Sequence, residues 1–83
     1  MEFSRLATPE GYRIEGYDSR TLFIRHVVTH DGCYKSERVA RIHIYNDMPH
    51  VGYADGNVGV PVYNWNINEL IMTLCTQHRM QIK

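Results

Sequence analysis

Along the chain, apolar residues first recur at every second position and only near the end at every third or fourth. "YRIEGY" (12–17) and "TLFIRHVVT" (21–29) are rich in aromatic and β-branched residues and are bounded by "DSR" and "HDG", which predicts two strands. "RVARIHIY" then sets Ala40, Ile42 and Ile44 against Val39, Arg41, His43 and Tyr45, a period of two with one apolar and one mixed face. After residue 65 the period lengthens. Ile67, Leu70, Ile71, Leu74 and His78 form one stripe with Cys75 at its margin, the mark of an amphipathic helix over 66–80. Asn66 is a good N-cap, Glu69 completes a capping-box-like pair, and Trp65 with Leu70 occupies the staple positions. His78, Arg79 and Lys83 suit the negative end of the helix dipole.

The expected fold is therefore α+β: an antiparallel sheet of about five strands over 12–63, with one C-terminal helix packed on its inner face. Residues 1–11 form an N-terminal arm ending in "TPEG", a type I turn over Thr8–Gly11.

Register arithmetic discriminates between two turns after the second strand. A two-residue Asp31-Gly32 turn sets Arg25 against Arg38 and carries Arg41 and His43 to the face of Leu22 and Ile24. A three-residue loop, His30-Asp31-Gly32, sets Arg25 against Glu37, Phe23 against Val39 and Leu22 against Ala40. The longer loop is the expectation, and it leaves Arg38 on the inner side near a rim or bulge. In "HVGYADGNVGVPVY", an Asp55-Gly56 turn pairs Tyr53 with Val58 and Val51 with Val60. Pro61 cannot donate to a ladder, so its strand belongs at an edge.

Size and composition narrow the classes. Eighty-three residues make one domain (1–83), close to the lower size at which burial alone gives stability. With 43% hydrophobic and 22% charged residues the chain reads as globular rather than disordered. No apolar run approaches the ~20 residues that span a bilayer, and "MEFSRLATPE" lacks a signal-peptide core, so the expected compartment is the cytoplasm. Cys33 and Cys75 do not make a disulfide framework, and both are expected as thiols. Net charge is zero, which argues against bulk nucleic-acid binding. Residues 20–43 nevertheless carry five cations and two carboxylates, whereas 44–78 carry three carboxylates and no Lys or Arg.

Five histidines and two cysteines raise a metal question, first in "HVVTHDGC" (26–33). In a strand, residues four apart lie ~13 Å apart, so His26 and His30 cannot share an ion. The remaining zinc set is His30, Cys33, Cys75 and His78, whose first two members need not converge in the chosen register. His26 and His78 then read as partly buried histidines and Cys75 as a core residue. No metal or cofactor is expected. Neither Ser19 nor Cys33 lies in an activating motif, and no Gly-rich loop opens a helix.

The outer sheet face holds more chemistry. Phe23, Arg25, Arg41, His43 and Tyr45 interleave aromatics with cations, a pattern of protein interfaces and of base-stacking surfaces. The valine-rich hairpin, with Tyr53, Val58 and Val60, is a second contact candidate and a route to homo-oligomers. The expected function is a non-enzymatic protein that docks on a protein or nucleoprotein partner and blocks or bridges it. Inhibitors of host complexes carried by phages and mobile elements work in this style, an analogy of size and not of residues. The alternative is an RNA-binding module or metal-independent ribonuclease using His43 as acid or base beside Arg41.

Overall fold

The computed structural model describes residues 6–53, 59–62 and 66–82. The elements follow the expected order: β1 (Tyr12–Asp18), β2 (Thr21–His30), β3 (Cys33–Tyr45), β4 (Met48–Tyr53), β5 (Val60–Pro61) and α1 (Ile67–Gln81). All neighbours are antiparallel and pair in chain order, so the α+β fold is a five-stranded meander followed by one helix. None of the described helical residues forms a segment long and apolar enough to cross a membrane.

The inner face is built from rows of apolar residues that the pairing aligns. Ile14, Ile24 and Ala40 form one row, and Leu22, Ile42 and Val51 another. On these rows α1 lays Leu70, Ile71, Leu74 and Cys75, giving one contiguous core. Leu22, Ile24, Ile42, Ile71 and Cys75 lose essentially all contact with water, and each large aliphatic among them contributes roughly 1.5–3 kcal/mol of transfer free energy. Cys75 thus sits at the centre of the helical stripe rather than at its margin. Asn66 caps the helix as expected, its side-chain oxygen accepting from the Asn68 N–H at 2.8 Å. Trp65 and the Asp55-Gly56 turn lie outside the described residues.

The turn between β2 and β3 differs from the expectation. His30 pairs with Cys33 across a two-residue Asp31-Gly32 turn, and both central residues have positive φ (52° and 78°). That is the backbone of the primed turns whose twist matches a strand pair. Arg25 does lie opposite Arg38. The register then shifts between Ile24 and Arg25, where β3 contributes Val39 as an extra residue, a β-bulge. Past it, Ile24 faces Ala40, Phe23 faces Arg41 and Leu22 faces Ile42. The expected partners, Arg25 with Glu37, Phe23 with Val39 and Leu22 with Ala40, are therefore replaced. One bulge reconciles two demands: the tight turn keeps its geometry, and Arg41 and His43 stay off the core face. Both Val39 and Ala40 are buried as a result, while Arg38 is turned to the outer face.

The like charges are also accommodated. Arg25 Nε donates to Glu15 Oε2 at 3.1 Å, and Arg38 stacks on Phe23. Smaller departures occur elsewhere. The N-terminal turn is displaced by one residue, with the Tyr12 N–H donating to the Pro9 carbonyl at 3.1 Å and Gly11 at φ +90°. Asn46 and Asp47, both at positive φ, form a second two-residue turn that brings Met48 opposite Tyr45. Val51 pairs with Val60 as expected, and Pro61 lies on the edge strand. The expected Tyr53–Val58 pairing involves a residue outside those described.

Candidate functional site

On the outer face, a groove of about 650 Å³ runs across the sheet from Tyr17 to Gly59. Its floor begins with Thr21 and Phe23 on β2, opposite His43 and Arg41 on β3, and continues to His50 on β4, directly across from His43. Thr21 Oγ1 and His43 Nδ1 share a hydrogen bond of 2.6 Å, which orients the imidazole and leaves its Nε2 for the groove. His50 Nδ1–H donates to the Met48 carbonyl at 3.0 Å. A neutral His50 therefore keeps Nε2 as an acceptor. The Tyr45 ring meets His50 edge-on, with centroids 5.9 Å apart.

Arg41 is the groove's most constrained cation. Its guanidinium lies over Gly52, its cross-strand partner, where an added Cβ would stand 3.0 Å from a terminal nitrogen. The absence of a side chain at Gly52 makes that resting place. Arg41 Nε is shielded from water and has no hydrogen-bond partner among the described residues. Among the described residues no carboxylate lines the groove, which Arg38 and Arg41 both face.

The groove collects Phe23, Arg41, His43 and Tyr45, four of the residues singled out in the sequence. Phe23 is only 8% exposed, because Arg38 covers its face and Tyr17 meets its edge at 5.8 Å. A partner would meet the cover, not the ring. Arg25 lies in a separate recess with Tyr34 and Ser36. Tyr53 and Val60 are both exposed, but their pairing with Ala40 and Val51 puts them on the helix side of the sheet. Val58 lies outside the described residues. The two contact surfaces expected from the sequence are therefore on opposite faces.

Tyr17, Arg38 and His50 complete the groove without having been foreseen. Arg38 was hidden by the register assumption. His50 was legible, since a two-residue Asn46-Asp47 turn sets it opposite His43. Tyr17 is the extra residue of a second register shift, between Gly16 and Asp18. Beside it, the Arg20 N–H donates to Asp18 at 2.8 Å and holds that carboxyl below its ordinary pKa.

The residues considered for zinc do not assemble. His30 and Cys33 are exposed at the tip of the β2–β3 hairpin, where His30 Nε2 lies 3.2 Å from Asp31. Cys75 is in the core, and burial pushes its thiol up to about 11. His78 meets a different pair. Its Nε2 lies 3.3 Å from Glu37 Oε1, and His26 Nδ1 lies 3.6 Å from that same oxygen. The two-residue turn that sets Glu37 against His26 carries the signal for this cluster.

Compared with protein-family models, with curated proteins and with solved structures, the chain matches none of them.

Proposed function

We propose that the chain is a non-enzymatic binding protein that docks a macromolecular partner, in the first place a protein, on its outer sheet face and so blocks or bridges it. The observation that carries this reading is the groove in which Arg38 and Arg41 lie among Tyr17, Tyr45 and two histidines, with no carboxylate among the described lining residues. Desolvated arginines and tyrosines dominate binding energy at protein interfaces, because they offer large contact area and fixed donors. The partner's complementary surface carries carboxylates, which the Arg38 and Arg41 guanidiniums facing the groove would bond. With its thiols reduced, the protein acts in the cytoplasm.

Affinity capture from cell lysate with wild type, Arg41→Glu and Tyr45→Ala, followed by mass spectrometry, tests the docking face. A partner recovered by wild type and lost from both variants supports it. Equal recovery by all three excludes the outer face.

A second reading rests on the cross-strand His43–His50 pair. Two imidazoles beside an arginine are the groups that metal-independent RNA cleavage requires, one as base, one as acid and the cation at the phosphate. Cleavage of a labelled single-stranded RNA by wild type, absent from His43→Ala and from His50→Ala, would favour this reading over docking alone.

A further inference from the structure

We propose that His26, Glu37 and His78 form a mononuclear site for a divalent transition-metal ion, with Zn²⁺ as its first ligand, on the face opposite the groove. The residues come from β2, β3 and the last turn of α1, so their convergence is a tertiary event. One ligand atom from each lies within 4.8 Å of the other two.

The donor set and spacing suit the ion. Two imidazole nitrogens and one carboxylate are a recurrent zinc set in which a fourth, open position holds water. Tetrahedral ligands at 2.0–2.1 Å from zinc stand about 3.3–3.4 Å apart. The two histidine–Glu37 separations, 3.3 and 3.6 Å, already approach that edge. Only the two imidazoles must draw closer. Their rings, with centroids 4.9 Å apart, pack without a residue between them.

The surroundings orient the ligands. Tyr12 OH and His78 Nδ1 share a hydrogen bond of 2.7 Å, which aims Nε2 at Glu37. Metal-binding histidines usually have their second nitrogen held in this way. The Tyr12 ring also lies against both imidazoles, at 4.9 Å from His26 and 5.6 Å from His78. The histidine side chains are 16% and 14% exposed and Glu37 64%, so an ion enters from the Glu37 side onto a half-buried imidazole floor. Arg79 stays beside the site: its guanidinium carbon lies 5.7 Å from the centre of the Tyr12 ring, and the same side chain donates to the Glu10 carbonyl at 3.4 Å. With Nε2 on the ion, His78 Nδ1–H is left to donate to the Tyr12 hydroxyl oxygen.

The ion would pin the end of α1 to the base of the β2–β3 hairpin. In a domain of 83 residues that is a staple of the kind small folds use.

Zn²⁺ is titrated into the chelator-stripped full chain against a chromogenic chelator, with thermal unfolding and Co²⁺ absorption as second readouts. One equivalent is expected, with a tetrahedral-type cobalt band. At a hundredfold excess of free Zn²⁺ over its Kd, Tm rises by at least about 10 °C. Glu37→Gln, an exposed change that keeps the fold, and His78→Ala abolish the stoichiometric uptake. Tyr12→Phe, which removes only the positioning hydroxyl, weakens it about tenfold. His30→Ala leaves it unchanged. The proposal is overturned by no saturable 1:1 uptake, by uptake that survives Glu37→Gln, or by uptake lost on His30→Ala.

Discussion

Arg38 holds its guanidinium carbon 3.8 Å from the centre of the Phe23 ring, although the two residues are not paired in the sheet. The bulge at Val39 makes the contact by sending Arg38 outward at the point where β3 changes register. A cation over an aromatic face is worth about 0.5–1 kcal/mol when partly exposed, and more when shielded. Arg38→Ala is expected to cost about 1 kcal/mol in urea unfolding and to uncover Phe23. Arg38→Lys recovers less than half of this, because a point charge does not stack as a planar guanidinium does.

Gly52 and Arg41 make a second coupled pair. A methyl group at Gly52 would press on the far end of a flexible side chain and on no backbone atom. Gly52→Ala therefore leaves stability within about 0.5 kcal/mol of wild type, since the guanidinium can swing aside. Partner recovery should fall as it does in Arg41→Glu, though by less. Unchanged recovery would show that the position of Arg41 over Gly52 does not matter to docking.

The β2–β3 turn yields a prediction of opposite signs. Gly32 lies at φ +78°, where an L side chain is strained, so Gly32→Ala destabilises by about 1 kcal/mol. Asp31→Asn, at φ 52°, gives the residue pair most favoured in such turns and is neutral or slightly stabilising. Denaturant unfolding of both variants checks this.

Cys75 predicts an alkaline limit on stability. Burial raises its folded-state pKa to about 11, above that of an exposed thiol, so the protonated form is the one that folds. The contribution is complete below the unfolded thiol pKa, about 8.5. It is lost as pH rises through 11. The loss reaches up to about 3 kcal/mol between pH 8 and 11. Cys75→Val should lower stability modestly at pH 7 and flatten the decline above pH 9, measured as Tm against pH.

Much of the fold was legible because its signals are local. The strands around Ile24 and Ile42 declare themselves by alternation, and α1 by Asn66 and the Leu70–Leu74 spacing. The Val51–Val60 pairing followed from turn chemistry alone, and Pro61 marked the edge. The groove was half legible: Arg41, His43 and Tyr45 alternate outward in the sequence as they do in the sheet. Tyr17 and Arg38 were not, since each depends on a register shift.

What the amino-acid order determined by itself was the kind and order of the elements and the core-facing stripes of Leu22–Ile24, Ala40–Ile44 and α1, since the steric and hydrophobic preferences behind them act over a few residues. Only the tertiary structure decided where β3 inserts Val39. That choice balances the Asp31-Gly32 turn against a core formed with a helix forty residues further on. It sends Arg38 to the groove and keeps Arg41 and His43 off the core face. The meeting of His26 and Glu37 with His78 belongs to the same level. No local pattern encodes it, because strand register and helix docking are settled together by the packing of a shared core.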